Sequence, residues 1–116
     1  MSPLKVKEDT FKDQVTGLAE ILGWKWVHWR PLLTRKHGWQ TPYDGPMGKG
    51  WPDLTLVRSK DGRLLLVELK SEEGKVEEWQ QTLLAWLTVA LVRDDNRIGV
   101  YLWRPSDWDT IVEVLT

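Results

Sequence analysis

Two short apolar runs, Leu54 to Arg58 and Arg63 to Leu69, are separated by Ser59-Lys60-Asp61-Gly62, and no other feature narrows the possible folds of this chain as far. Asp-Gly between such runs signals a hairpin, because glycine supplies the positive φ that a tight reversal needs. The runs are therefore expected as neighbouring antiparallel strands. Around them the periodicity changes. Phe11, Val15, Leu18, Ala19 and Leu22 recur at helical spacing and Gly23 stands where a helix would stop, so a first helix of roughly three to five turns precedes the hairpin. Trp24 to Arg30 is aromatic and β-branched enough for a strand. Pro31 and the stretch Gly38 to Gly50, with two prolines and four glycines, read as a long loop, a feature that in small domains often carries function.

Beyond the hairpin, Val76, Gln80, Leu83, Leu84 and Leu87 fall at helical spacing, Ile98 to Trp103 reads as a strand, and Trp108, Ile111, Val112 and Leu115 make a last apolar stripe. Ser106 and Asp109 have capping-box spacing at its start, with Asp in place of Glu. The order α-β-β-β-α-β-α predicts an α/β sandwich around a mixed sheet. A length of 116 residues suits one domain, 1–116, with a single core.

Composition limits the chemistry. The chain has no cysteine and two histidines, His28 and His37, which excludes disulfides and thiolate zinc sites and leaves too few imidazoles for a histidine cage. Any metal must be held mainly by oxygen. No run approaches the ~18 apolar residues of a membrane span, and Met1-Ser2-Pro3-Leu4 lacks the regions of a signal peptide; a soluble cytoplasmic protein with no membrane role is the expectation. The net charge is −1, but Lys25, Arg30, Arg35, Lys36 and Lys49 lie between Gly23 and Gly50 with Asp44 as the only acid. That segment suits phosphates, although loop lysines and arginines are as often simply solvated. Nine tryptophans are expected mostly in the core or at an interface, with one or two free to stack on a ligand.

The reactive residues sit at the open end of the hairpin. Asp53 follows Gly50-Trp51-Pro52 and leads into the first strand, and Glu68 and Lys70 stand two apart at the end of the second. Period-two geometry puts Glu68 and Lys70 on one face, and pairing through the Asp-Gly turn places Asp53 across from them. Two carboxylates and an ammonium then converge. A hard divalent cation such as Mg²⁺ accepts a few carboxylate or carbonyl oxygens plus water, which makes Asp53, Glu68 and the Leu69 carbonyl candidate ligands. Lys70 beside such an ion can orient the attacking water or stabilise charge on a phosphate. Taken alone, Glu-x-Lys is more often a surface ion pair of small energy.

The joint arrangement is more specific. Gly50-Trp51-Pro52-Asp53, two strand-like runs, Glu68-Leu69-Lys70 fifteen residues after Asp53, and a following helix with Gln80 resemble the motifs of the PD-(D/E)XK nuclease superfamily, and within it the VRR-NUC (virus-type replication-repair nuclease) family. The resemblance extends from the helix containing Glu8 to Tyr101-Leu102-Trp103-Arg104-Pro105. It implies a restriction-endonuclease-like sandwich, Mg²⁺ or Mn²⁺ dependence and DNA as substrate, branched or four-way junction DNA being a frequent target. Asp53 and Glu68 match the family's metal-binding acids, Lys70 its catalytic lysine and Gln80 its helix glutamine, with Gln81 as the weaker match.

Gln80 is also odd on physical grounds, since it shares a face with Val76, Leu83 and Leu87 and a polar group there needs a partner, either the active centre or the backbone. Glu8 lies three residues before Phe11 on the apolar side of the first helix and resembles the helix-one glutamate that serves as an extra metal ligand. A solvated first-turn acid ahead of a later helix start is the even alternative. Arg30, Arg35, Lys36, Lys49 and Lys75 are candidate DNA contacts, His28 is expected to be a satisfied structural histidine, and Glu72, Glu73, Glu77 and Glu78 a solvated helix start. A non-catalytic nucleic-acid or protein-binding module is the competing class, disfavoured because two adjacent like charges cost stability without a metal. A restriction-like or end-trimming nuclease is the competing enzyme. One small domain offers little surface for a branched substrate, so a two-fold homodimer is expected.

Overall fold

The computed structural model describes residues 7–29, 32–36, 38–40 and 43–116. Its elements are α1 (Glu8–Ile21), β1 (Lys25–His28), β2 (Leu32–Thr34), β3 (Gly38–Gln40), β4 (Leu54–Arg58), β5 (Arg63–Leu69), α2 (Glu78–Leu91), β6 (Ile98–Trp103) and α3 (Trp108–Leu115). Four strands form one mixed sheet in the order β1-β4-β5-β6. β1, β4 and β5 pair antiparallel and β6 joins β5 in parallel, with α2 as the crossover that a parallel connection requires. The α/β sandwich expected from the sequence is the one observed, and it is consistent with a restriction-endonuclease-like fold. No helix among the described residues is long and apolar enough to cross a membrane.

The predicted hairpin has the bounds its residue types suggested. Ser59–Asp61 makes one 3-10 turn and Gly62 takes the left-handed conformation, φ +65°, a geometry that glycine adopts without a Cβ clash. Leu54 pairs with Val67 and Arg58 with Arg63. Central position shows in the burial: β4 alternates, while Leu65 to Leu69 of β5 are buried on both faces, as a strand with paired neighbours and helices on either side must be. Leu54, Leu56, Leu65, Val67, Leu69 and Trp103 meet Phe11, Val15 and Ala19 of α1 and Ile111 and Leu115 of α3 in one core. Leu66 meets Leu83 and Leu87 of α2 in a second. Residues of β5 that share a side with Leu66 therefore look toward α2, and Glu68 is one of them.

Three expectations are corrected. The segment read as loop contains a small β2–β3 hairpin with Leu32 opposite Gln40; three-residue strands are too short to display alternation, and the turn uses Gly38 at φ +68°. Pro31 and His37 lie outside the described residues. α3 is not capped by the Ser106–Asp109 box: a 3-10 turn over Pro105–Asp107 leads into it, and Asp107 Oδ2 accepts from Arg104 N at 2.9 Å. Third, among the described tryptophans the core takes fewer than the exposed surface does. Trp24 and Trp103 are buried, whereas Trp26, Trp29, Trp51 and Trp86 are exposed.

Arg58 is the unforeseen core residue. Only 4% exposed, it donates from Nη1 to the carbonyls of Leu22 (3.1 Å) and Leu115 (3.0 Å). It also bonds Asp61 through Nε (3.1 Å) and Nη2 (2.8 Å), and its guanidinium lies 4.6 Å from the Trp24 ring centroid. A cation on the last carbonyls of α1 and α3 opposes the negative ends of both helix dipoles. One arginine thus fastens both helices of that layer to the hairpin.

Candidate active site

The site is assembled where β4 begins and β5 ends. Asp53 continues the ladder past β4: its carbonyl accepts from Trp29 N (2.7 Å) and its Oδ1 accepts from Leu69 N (3.1 Å). A side chain standing in for a backbone acceptor holds the carboxylate at the end of the sheet, with Pro52 buried behind it. Its other oxygen, Oδ2, lies 3.3 Å from His28 Nε2. Continuing the observed register from Leu54 opposite Val67 brings Asp53 level with Glu68, as the hairpin geometry predicts.

Glu68 is 5% exposed on the α2 side of β5. Its pKa is pushed from 4.5 to about 8, first by burial and then by the charge of Asp53, with Lys70 opposing and Glu8 adding to the rise. Lys70 stands one residue past β5, its N–H donating to Trp103 O at 3.0 Å, and its ammonium is within electrostatic reach of both Glu68 and Glu8. Glu8 is the first residue of α1, not a residue ahead of a later start. It is open to solvent, yet partial burial of its carboxyl is the main cause of its raised pKa; Lys70 opposes the rise, Asp53 and Asp9 add to it, and His28 opposes it. α1 therefore delivers a third acid to the same end of the sheet.

Gln80 has both of the partners considered for it. Its Oε1 accepts from Glu77 N at 3.0 Å, closing the start of α2, and that bond turns the amide so that Nε2 faces Glu68 Oε1 at 3.4 Å. Gln81 instead donates to Val76 O at 3.2 Å. The structure thus gathers Glu8, Asp53, Glu68, Lys70 and Gln80 and adds His28. His28 is bonded at one nitrogen: Nε2 lies 3.3 Å from Asp53 Oδ2, while its buried Nδ1 has no hydrogen-bond partner among the described residues. His28 of β1 pairs with Leu54, one residue from Asp53, and strand pairing alone does not single out that contact.

The basic candidates divide. Lys49 is exposed in the 3-10 turn Gly48–Gly50 ahead of Asp53, and Lys75 is exposed in the segment after Lys70. Arg35 and Lys36 are exposed at the turn of the β2–β3 hairpin, a separate two-stranded sheet. Arg30 lies outside the described residues. The donor set suits a hard divalent ion: Asp53 and Glu8 add to the raised pKa of Glu68, and a cation among such carboxyls relieves their repulsion. Among the described residues, no three His, Asp or Glu side chains form a ready metal cage.

Residues 43–93 match the VRR-NUC domain family. The matched stretch holds Asp53, Glu68, Lys70 and Gln80, the motif residues that carried the resemblance, and is shorter than the stretch over which the resemblance was stated: Glu8 and His28 lie before it and Tyr101 to Pro105 after it. No curated protein and no solved structure matches the chain. A VRR-NUC domain implies a nuclease of the PD-(D/E)XK type, a hydrolase of phosphodiester bonds in nucleic acid, in a family that typically uses divalent metals.

Proposed function

We propose that residues 1–116 act as one Mg²⁺- or Mn²⁺-dependent DNA endonuclease domain, selective for branched or four-way junction DNA. The observation that carries this reading is the meeting of Asp53 and Glu68 at the end of the β4–β5 hairpin, with Lys70 beside them and Glu68 held at a pKa of about 8. Burying one acid next to another is unfavourable in the resting fold and becomes favourable when a cation is shared.

Asp53 and Glu68 would hold the ion, with the Leu69 carbonyl and Glu8 as further oxygens; bound there, it supplies Lewis-acid polarisation of the phosphate and a more acidic water. The chain's own residues do the rest. Asp53 is fixed by Leu69 N, so its free lone pairs keep one direction. Gln80 donates to Glu68 and keeps that carboxyl from rotating. Lys70 places positive charge where negative charge grows on the phosphate and can orient the attacking water; its oxygen bonds to phosphorus as the P–O bond to the sugar breaks, and the proton it gives up to solvent is matched by one taken up by the departing sugar oxygen. Lys49 and Lys75, with Arg30, Arg35 and Lys36, are the proposed backbone contacts to DNA.

The working unit in this reading is a homodimer, which presents two such centres to two strands. Its support is the apolar outer side of α2, where Trp86 is 54% and Val89 80% exposed. The deciding experiment offers single-stranded, duplex, flap and four-way junction DNA with Mg²⁺, Mn²⁺ or EDTA. Metal-dependent cleavage fastest on branched DNA is expected. Cutting confined to ends or to one duplex sequence would favour an end-trimming or restriction-like enzyme, and binding without cleavage would favour a non-catalytic module.

A further inference from the structure

The segment that leaves Lys70 and leads to α2 is held from outside by one side chain. Arg104, the residue after β6, directs Nη1 at the carbonyls of Ser71 (2.6 Å), Glu72 (3.2 Å) and Gly74 (2.7 Å). Three backbone oxygens converging on one nitrogen is an arrangement that needs a cation, since without it their dipoles point at one another. The turn is closed by Gly74 N donating to Ser71 O at 3.2 Å. Arg104 is itself fixed, because its N–H is held by Asp107 Oδ2. Two more contacts bind the same pair of segments: Lys70 N donates to Trp103 O and Ser106 N donates to Glu72 Oε1. Residues 70–74 are thereby latched to residues 103–106.

The latch lies between two parts of the site. Lys70 stands at the start of the latched segment, and Gln80, whose amide faces Glu68, stands in the first turn of the helix to which it leads. A change in the shape of the Ser71–Gly74 turn therefore moves the ammonium and the amide relative to the carboxyl they flank. We propose that Arg104 is a positioning residue of the active site: by gathering the Ser71, Glu72 and Gly74 carbonyls it sets where Lys70 and Gln80 stand about Glu68. This rests on the nuclease reading for what those residues do, but the placement itself can be measured without catalysis.

The variants are Arg104→Met, which keeps the apolar stem and removes the charge, and Arg104→Lys, whose ammonium offers three donors to the same carbonyls. Glu72→Ala is an exposed change that cuts the second tie and spares the fold if Arg104→Met does not. Cleavage of branched DNA with Mn²⁺ is read as kcat and KM, and amide hydrogen exchange over residues 70–80 is read on the same proteins. Arg104→Met is expected to lower kcat on the order of 10–100-fold, the range for a displacement of about 1 Å at a reacting centre. KM should stay within about two-fold, since no phosphate contact is lost, and exchange at Lys70 should quicken. Arg104→Lys should recover most of the rate, and Glu72→Ala should show a smaller loss of the same kind.

Wild-type kcat in folded Arg104→Met overturns the proposal, as does a loss matched by the unfolded fraction, or a lysine variant no better than methionine. If the wild type cuts no DNA, the nuclease reading falls by itself and exchange decides the placement: faster exchange over residues 70–80 in Arg104→Met upholds it, and unchanged exchange overturns it.

Discussion

Replacing Glu68 by glutamine should make the metal-free protein more stable, by an amount that depends on pH. The folded-state pKa of Glu68 is about 8 against an ordinary 4.5, so between those values the native state keeps a proton that the unfolded chain has released. Stability changes with pH as the protons bound by the unfolded state less those bound by the native state. Here that difference is −1, so the wild type loses stability as pH rises from 4.5 to 8 and is level outside that window. At ~1.4 kcal/mol per unit, the loss is about 5 kcal/mol, an upper bound because water at the mouth of the site screens the carboxylate. Glutamine resembles the protonated acid in shape and donor capacity and has no such slope.

The assay is urea unfolding in EDTA at pH 5 and pH 9. The two proteins should be nearly equal at pH 5, and the variant should be ahead by several kcal/mol at pH 9, a large fraction of a typical domain's stability. Mg²⁺ at pH 8 should restore the wild type and leave the variant unmoved. Parallel pH profiles for the two proteins would refute the claim that burial and Asp53 hold the proton on Glu68.

Arg58→Met should cost about 2–4 kcal/mol in denaturant unfolding, since it leaves the Leu22 and Leu115 carbonyls without their charged donor; a cost under about 1 kcal/mol would show that water replaces it. Lys70→Ala should lower the cleavage rate on the order of 10²–10³-fold with little change in DNA affinity, and a drop in affinity alone would make Lys70 a phosphate clamp. Light scattering should show a mass near twice 13.6 kDa at concentrations where the enzyme cuts; Trp86→Lys should halve it, and a wild-type mass that stays at 13.6 kDa would remove the dimer.

The hairpin and the carboxylate pair were legible because both follow from local rules. Asp61-Gly62 dictates the reversal, and the reversal dictates that Asp53 meets Glu68. What was not legible depends on contacts distant in sequence. Arg58 ends a strand run and reads as a surface cation, yet it is buried because the carbonyl ends of two helices converge there. Gln80 is visible as an oddity on an apolar stripe, but only the fold shows that one end of its amide closes the helix while the other faces Glu68. His28 pairs with Leu54, and only the folded side chains show its Nε2 3.3 Å from Asp53 Oδ2. The tryptophan count signals aromatic surface without saying which rings are inside; among the described residues Trp24 and Trp103 are buried and four others are exposed.

The central claim is that Asp53 and Glu68 hold a divalent ion that cuts DNA. Its most direct measurement is release of labelled product from junction DNA by wild type and by Asp53→Asn, each verified as folded, across a Mn²⁺ titration and in EDTA. Product should rise with Mn²⁺ for the wild type, vanish in EDTA, and stay at background for Asp53→Asn at every metal concentration. Cleavage by Asp53→Asn at the wild-type rate, or cleavage that persists in EDTA, would contradict the account.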